Sequence, residues 1–447
     1  MVLAVTIEFD EDIRLLKNPR FRRLMEARLA GQTAQNALLY ALLILLVKES
    51  GSSIHSTLLI VAFTVPAIIL GIPAGTAADI LPHRLSMTIG YLLRAVTAAL
   101  LFYYSDSLFY IYVFVLVHAS IGQISGPAEA ATLPAVVRQD QLPAANSLMM
   151  LGLVFGQILG MVVIAPLLIK LVSPDSVFIL SAVLFVAAGY IVGWLASGLS
   201  PATAEKGPRM SFTAATREGF HILRTNRRAY LSMVYLATAV TMTRVLVVLL
   251  PKYTRDVLQI APEDTVFIAA PAAIGAGFGL VLVPLLSRLF GAWRVVAFGF
   301  VTLLLGLLGL GLVVVIRNFL LENVDLGIGF VEREVGVSSV ISVTMLLAIP
   351  LGFALTLVTV ASRVVMNEGA PPEAQGRIFA VTGALADTLS LLPLLLVGVI
   401  GELVGVRATL LASTIAAIAA TGYLTFSTRF GPRVGPAVEP APQPGSA

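Results

Sequence analysis

Long runs of apolar residues follow one another along the chain and are separated by short polar segments. A helix needs about 20 such residues to cross the ~30 Å hydrocarbon core of a bilayer. The runs show no alternation with a period of two, and lipid accepts only helices or closed barrels, so helices are predicted. The predicted spans are 22–47, 55–78, 86–104, 108–135, 144–171, 175–197, 229–251, 264–287, 294–316, 339–365, 378–400 and 405–426.

The positions of the basic residues predict how these spans are oriented. Most of the 29 Lys and Arg residues share one side of the membrane if the N-terminus is cytoplasmic, whereas Arg28, Arg94 and Arg244 fall within spans. Cytoplasmic segments of membrane proteins carry an excess of Lys and Arg. We therefore expect a multi-pass protein of the cell (inner or plasma) membrane with both termini in the cytoplasm.

A long polar stretch, 198–228, divides the predicted spans into two sets of six. It contains a predicted amphipathic helix around 211–224, and a simple linker is the alternative. The pattern Pro66–Ala67–Ile68 in span 2 recurs as Pro271–Ala272–Ala273 in span 8. The fold class predicted is an all-α polytopic membrane protein with two pseudo-symmetric six-helix bundles, an arrangement that places a transporter's site between its halves. The predicted segments are a cytoplasmic N-terminal segment 1–21, a first bundle 22–197, the central loop 198–228, a second bundle 229–426 and a disordered cytoplasmic tail 427–447.

The composition excludes several classes of protein. Hydrophobic residues make up 58% and charged residues only 12% of the chain, against about 25% charged residues in soluble domains. There is no cysteine, so disulfides and thiolate metal sites are excluded. The four histidines are scattered, and no phosphate-binding pattern Gly-x-x-x-x-Gly-Lys-Ser/Thr occurs; direct use of ATP is therefore not expected. No cofactor, metal or nucleic acid is predicted as a partner.

Four short motifs resemble those of the major facilitator superfamily, in particular its drug-efflux branch that includes macrolide and enterobactin exporters. The motifs are Asn18–Pro19–Arg20–Phe21–Arg22–Arg23–Leu24, Gly75-x-x-x-Asp79-x-x-x-x-Arg84, Leu142–Pro143–Ala144–Ala145–Asn146–Ser147–Leu148 and Gly376–Arg377–Ile378–Phe379. The resemblance, over roughly 18–426, implies a monomer that transports a small molecule by alternating access. Two departures stand out: Ile80, Pro82 and His83 replace the usual loop residues, and Gln35 stands where the branch commonly has an acid.

Two charged residues of the second half are candidates for the transport mechanism. A charge near the bilayer centre costs at least ~2.5–3.5 kcal/mol and is therefore rare and usually functional. Asp387 lies near the middle of span 11 and is a candidate coupling carboxylate, with a structural acid as the alternative. Arg244 in span 7 is a candidate partner of Asp387 or an anchor for an anion.

The first span carries a stripe of polar residues. Arg28, Gln32, Asn36 and Tyr40 follow one another at intervals of four, so they share one helix face, and Gln35 adjoins it. Lipid disfavours such a stripe. We therefore expect these side chains to line the central cavity, the alternative being hydrogen bonds between packed helices.

Spans 3 and 4 carry further polar residues at similar depth. Arg94 and Glu129 are predicted to form a buried ion pair, and His118 is either a proton relay or a packing residue. The resemblance implies that Gly75, Asp79 and Arg84 form a gating loop between spans 2 and 3.

Together these features predict a secondary active transporter rather than an enzyme. The leading interpretation is alternating-access efflux of hydrophobic or amphipathic small molecules, driven by an ion gradient, with protons as the expected coupling ion. The alternatives are a facilitator or importer of a nutrient and a lysolipid flippase on the same fold. A membrane-embedded enzyme or a receptor would need paired histidines and acids on adjacent loops, or a sensory domain, and the sequence shows neither.

Overall fold

The structure is a computed structural model. It describes residues 15–80, 82–138, 141–195, 220, 223–224, 226–323, 332, 337–368 and 375–428. In this part of the chain twelve helices are long and apolar enough to cross a membrane, and no residue is in a strand. The all-helical prediction is confirmed. The predicted helix around 211–224 and the predicted tail fall almost entirely outside the described residues.

The helices of the first half follow the predicted spans closely. Their bounds are α1 Pro19–Ser50, α2 Ser53–Ile80, α3 His83–Tyr104, α4 Leu108–Val136, α5 Leu142–Ile158 with its continuation to Leu171, and α6 Pro174–Gly193. The helices of the second half are α7 Arg227–Asp256, α8 Val266–Phe290, α9 Ala292–Gly311, α10 Ser339–Glu368, α11 Gln375–Leu403 and α12 Val406–Ser427.

Each half begins with the same local device. The Asn18 side chain accepts hydrogen bonds from the backbone N–H groups of Arg20 and Phe21 at the start of α1. Asn226 accepts in the same way from Arg228 and Ala229 at the start of α7. Asparagine is a favoured N-cap because its oxygen satisfies free N–H groups of the first turn. Both caps therefore fix where a six-helix set starts.

The two halves share one packing scheme. In the first half α3 packs on α6 and α4, α1 packs on α6 and α5, and α2 packs on α4. In the second half α9 packs on α12 and α10, α7 packs on α12 and α11, and α8 packs on α10. Every one of these pairs recurs six helices later, as a parallel repeat requires. The halves meet mainly where α2 runs along α11 and where α5 approaches α8.

The twelve described spans are even in number, so the start of α1 and the end of α12 lie at the same end of the bundle, which we call the terminal end; the opposite end is the far end. The far end contains the α1–α2, α7–α8 and α11–α12 connections. The predicted span 294–316 is wrong in one respect, because α9 ends at Gly311 and a separate helix, Val313–Asn323, follows it. At the break Gly311 lies so close to α12 that an added Cβ would be 2.5 Å from Leu411. The apolar run that predicted this span therefore includes both the end of α9 and the start of the next helix.

Helix α5 contains a turn that the sequence did not predict. Its residues Leu159–Ile164 form a π-helical turn before Ala165–Leu171 continues the span. At this turn α5 presses against α1, since a Cβ on Gly160 would lie 2.3 Å from the Thr33 carbonyl oxygen. A Cβ on Gly156 would lie 2.8 Å from Gln32 Cβ. The close contact between α5 and α1 therefore depends on glycine at these two positions.

Candidate functional site

The clearest polar contact of the second half joins α7 and α11. Arg244 Nη2 bonds the Asp387 carboxylate, and Arg244 Nη1 donates to Ser390 Oγ at 2.6 Å. Ser390 Oγ in turn donates to the Asp387 backbone carbonyl at 2.8 Å. The side chains of Arg244 and Asp387 are 27% and 24% exposed. Sequence reasoning had named both residues, and the structure brings them together as an ion pair near the middle of two spans.

The ion pair of the first half differs from the predicted one. Glu129 on α4 pairs with Arg28 on α1, and Tyr91 on α3 donates its hydroxyl to the other carboxylate oxygen at 3.5 Å. The predicted Arg94–Glu129 pair is therefore wrong. Arg94 instead donates to His118, which lies eleven residues before Glu129 on α4. Depth alone did not reveal that α1 supplies the closer arginine.

Arg94 is held by neutral groups from three other helices. Its Nη2 donates to Gln35 Oε1 on α1, and its Nε donates to His118 Nε2 on α4 at 3.2 Å. The Arg94 guanidinium carbon lies 4.4 Å from the ring centre of Phe185 on α6. His118 also contacts Thr97 Oγ1 through its Nδ1 at 2.7 Å. The structure thus brings Gln35, a predicted cavity residue, and His118, a predicted relay or packing residue, together around Arg94, which had been predicted to pair with Glu129.

The remaining polar residues of α1 do not form one uniform cavity wall. Asn36 Nδ2 donates to the Gln32 carbonyl oxygen at 2.8 Å within the helix. The Tyr40 hydroxyl donates to the Glu263 carbonyl oxygen at 2.9 Å, at the start of the segment that leads into α8. Tyr40 is 2% exposed. It therefore joins the two halves rather than lining open space.

Charged residues at the far end join the halves, and the sequence did not reveal them as partners. Lys48 pairs with Glu263 at 2.9 Å, and Lys170 pairs with Asp264. These lysines belong to the first half, and the acids form part of the 3₁₀ turn Pro262–Thr265 in the second half. Opposite charge across this contact holds the two halves together at the far end.

A second group of far-end contacts centres on Glu402 at the end of α11. Its carboxylate accepts from the Ser53 hydroxyl at 3.0 Å, which crosses between the halves. Lys252 of α7 pairs with the same carboxylate at 2.8 Å and is 7% exposed in its side chain. Arg255 Nη2 also donates to the Gly51 carbonyl oxygen at 3.1 Å. The far end is thus closed by contacts from α1, α2, α5, α7, α11 and the 3₁₀ turn before α8.

A cavity of about 350 Å³ lies between the halves. Leu153, Gln157 and Met161 of α5 form its wall on the first half, while α7, α8, α9 and α10 form the opposite wall. Its lining is almost entirely apolar, and its volume falls in the range of small-molecule sites, about 300–1,000 Å³. Thr243 and Leu246 line it and flank Arg244 in the sequence, so the cavity lies at the depth of the Arg244–Asp387 pair.

The amino-acid sequence matches the family model described as Major Facilitator Superfamily over residues 29–392. The chain belongs to the Major Facilitator Superfamily. It is therefore a multi-pass membrane protein with the fold of that superfamily's transporters. No curated protein matches the sequence.

Solved structures of transporters superpose on most of the chain at low sequence identity. The nucleoside transporter NupG has a TM-score of 0.69 at 11% identity, covering 92% of this chain and 100% of its own. The peptide transporter PepTSo has a TM-score of 0.67 at 14% identity, covering 92% and 98%. A bacterial homologue of the human lysosomal transporter Spinster has a TM-score of 0.64 at 11% identity, covering 92% and 98%. At such identities these likenesses establish the fold.

The loop that resembles the superfamily's gating motif is described in part. Arg84 bonds the Gly193 carbonyl oxygen at the end of α6 and thereby ties α3 to α6 within the first half. Gly75 and Asp79 lie in α2, in a part of that helix whose side-chain surroundings the structure does not describe. A gating role for these three residues stays a prediction.

Proposed function

We propose that the chain is a proton-coupled secondary transporter that exports amphipathic small molecules from the cell by alternating access. The observation that carries this proposal is an apolar cavity between the two halves at the depth of a partly exposed ion pair, Arg244–Asp387. The cavity offers a place for the substrate, and the ion pair offers a group that takes up and releases the coupling ion.

The lining of the cavity favours an amphipathic substrate. Polar groups along its wall are few, namely Gln157, Thr243, Thr356 and Thr359. A sugar or another strongly hydrated solute would lose more hydrogen bonds to water than these groups replace. A substrate with a large apolar body gains from burial and needs only the few polar contacts that the wall provides.

The Arg244–Asp387 pair supplies a physical basis for coupling. The Asp387 side chain is 24% exposed, so water reaches the carboxylate, and Arg244 lies beside it. Protonation of Asp387 removes the attraction for Arg244 and leaves the guanidinium bonded to Ser390 alone. The protonated and deprotonated states of Asp387 make different contacts with Arg244. Protonation therefore changes the free-energy difference between the two conformations, and the proton gradient shifts the conformational equilibrium.

The far-end contacts indicate how the transporter changes between its two orientations. In this structure Lys48, Lys170 and Glu402 hold the halves together at the far end, while Arg363 approaches the Met150 sulfur at 3.6 Å nearer the terminal end. Alternating access requires these far-end contacts to break when the substrate is released there. With the termini in the cytoplasm of a plasma-membrane monomer, the far end is the outer side.

Transport by purified protein in liposomes tests the proposal. Rhodamine 123, a fluorescent lipophilic cation, is measured with and without an imposed pH gradient while valinomycin and equal potassium hold the membrane potential at zero. We expect gradient-dependent movement that protein-free liposomes lack. Dye movement at the same rate with and without the pH gradient would indicate a facilitator. Movement of lysolipid or nutrient solutes but not of the dye would favour the alternative substrates.

A further inference from the structure

The polar residues Arg28, Gln35, Tyr91, Arg94, His118 and Glu129 form a cluster in the first half, and this cluster carries an unbalanced positive charge. Within it the structure places two guanidinium groups, on Arg28 and Arg94, and one carboxylate, on Glu129. Glu129 is 8% exposed, and it already accepts from Arg28 and Tyr91. The other arginine near the middle of a span, Arg244, has Asp387 as its partner. Arg94 is therefore the arginine of this cluster whose hydrogen-bond partners are neutral.

The geometry around Arg94 leaves one side of its guanidinium unoccupied. The Nε and Nη2 groups donate to His118 and Gln35, and Phe185 covers one face of the plane. Nη1 has no hydrogen-bond partner in the described part of the chain. Next to the guanidinium is Gly122 of α4, where an added Cβ would still be 4.0 Å from Arg94 Cζ. A glycine here leaves room for a ligand atom beside the charge.

A positive charge inside a bilayer is costly unless an anion, a dipole or water compensates for it. The groups that hold Arg94 come from three other helices, so its position is set before a ligand arrives. Guanidinium groups bind carboxylates and phosphates through charge-assisted hydrogen bonds that are stronger than neutral ones. We propose that Arg94, positioned by Gln35 and His118, binds the anionic group of the transported molecule.

This inference rests on the proposed function and narrows its substrate class. The transported molecules would include amphipathic compounds that bear a carboxylate, including zwitterions whose cationic part is free to meet Asp387. An inorganic anion such as chloride would bind the Arg94 guanidinium through the same charge-assisted hydrogen bonds. The experiment below therefore distinguishes chloride from the carboxylate of a substrate.

Equilibrium binding to the purified protein tests the site without requiring transport. Rhodamine 110 carries a free carboxylate, and rhodamine 123 is its methyl ester, so the pair differs at the anionic group alone. Fluorescence polarisation gives the Kd of each dye for the wild type, for Arg94→Gln and for Arg94→Lys. Arg317→Gln, which removes an arginine outside the twelve spans, serves as the control for loss of charge.

We expect Arg94→Gln to weaken rhodamine 110 binding about tenfold and to change rhodamine 123 binding by less than about twofold. Arg94→Lys keeps the charge but loses the planar fork, and an intermediate loss for rhodamine 110 is expected. The lysine variant also keeps the test decisive if the glutamine variant does not fold. Equal effects on both dyes, or none on either, would overturn the site.

Replacing gluconate by chloride in the buffer distinguishes the source of the anion. Chloride competition against rhodamine 110 in the wild type, and its loss in Arg94→Gln, supports an anion site that substrates use. If chloride stabilises the wild type but rhodamine 110 does not bind, the ligand of Arg94 is an inorganic anion and not the transported substrate. Failure of the wild type to bind either dye would contradict the amphipathic substrate class itself, whereas equal sensitivity of both dyes to Arg94→Gln contradicts this inference alone.

Discussion

Lys48 at the end of α1 and Glu263 before α8 form a 2.9 Å ion pair that joins the two halves at the far end. Lys170 and Asp264 repeat the arrangement between α5 and the same 3₁₀ turn. The first half thus presents lysines to acids of the second half. Because both pairs must separate when the far end opens, their charges bias the conformational equilibrium without touching the proposed substrate site.

Reversing one charge of this contact is expected to open the far end. Glu263→Lys places a third cation beside Lys48 and Lys170, and adding Lys48→Glu restores an opposite-charge pair. The chain has no cysteine, so Asn36→Cys provides a single reporter on α1. We expect Glu263→Lys to raise labelling of this cysteine by an impermeant maleimide from the far side about fivefold, corresponding to ~1 kcal/mol.

The double variant is the control for that measurement. Lys48→Glu combined with Glu263→Lys should return the far-side labelling towards the wild-type rate, since the pair is restored with its charges exchanged. If the single and double variants label equally, the ion pair does not hold the far end closed.

The Arg28–Glu129 pair predicts a specific pattern of stability. Glu129→Gln leaves Arg28, whose side chain is 17% exposed, without its counter-ion, and Arg28 Nε already lacks a partner among the described residues. Breaking a buried pair in this way costs about 3 kcal/mol. A lowered midpoint of thermal unfolding in detergent is therefore expected, with substantial recovery when Arg28→Gln is added. Recovery with Arg94→Gln instead would show that the partner of Glu129 is Arg94.

The contact between α5 and α1 predicts a position-specific effect of one methyl group. Gly160→Ala puts a Cβ 2.3 Å from the Thr33 carbonyl oxygen, so the helices must separate. Gly152→Ala on the same helix meets Met25 at 3.8 Å, which is ordinary contact. Overpacking costs about 1–3 kcal/mol. We expect a lower thermal midpoint for Gly160→Ala and an unchanged one for Gly152→Ala, and equal midpoints would contradict the close crossing.

The sequence predicted the spans well because bilayer thickness sets the length of an apolar run. It predicted α1 through α8 and α10 through α12 to within a few residues. The end of α9 at Gly311 was missed because the apolar run continues into Val313–Asn323, and hydropathy alone does not show where a helix ends. The π turn Leu159–Ile164 was missed because it arises where α5 packs on α1.

Part of the candidate site was predicted because charged residues within spans are rare and need partners. Arg244 and Asp387 are such residues, and the structure joins them. Arg94 and Glu129 had similar predicted depths, but Arg28 of α1 is the arginine that pairs with Glu129. The Lys48–Glu263 pair depends on how the two halves dock, which no local pattern in the sequence records.

Asp387 is proposed to couple substrate movement to the proton gradient. The most direct test of this coupling is gradient-driven movement of rhodamine 123 in proteoliposomes at zero membrane potential, comparing the wild type with Asp387→Asn. Asp256→Asn is the matched control, since this exposed carboxylate pairs with the adjacent Arg255 at the end of α7. We predict that Asp387→Asn loses the gradient-driven component at least about tenfold and still binds the dye, while Asp256→Asn behaves as the wild type. Wild-type response to the gradient in Asp387→Asn would contradict the account.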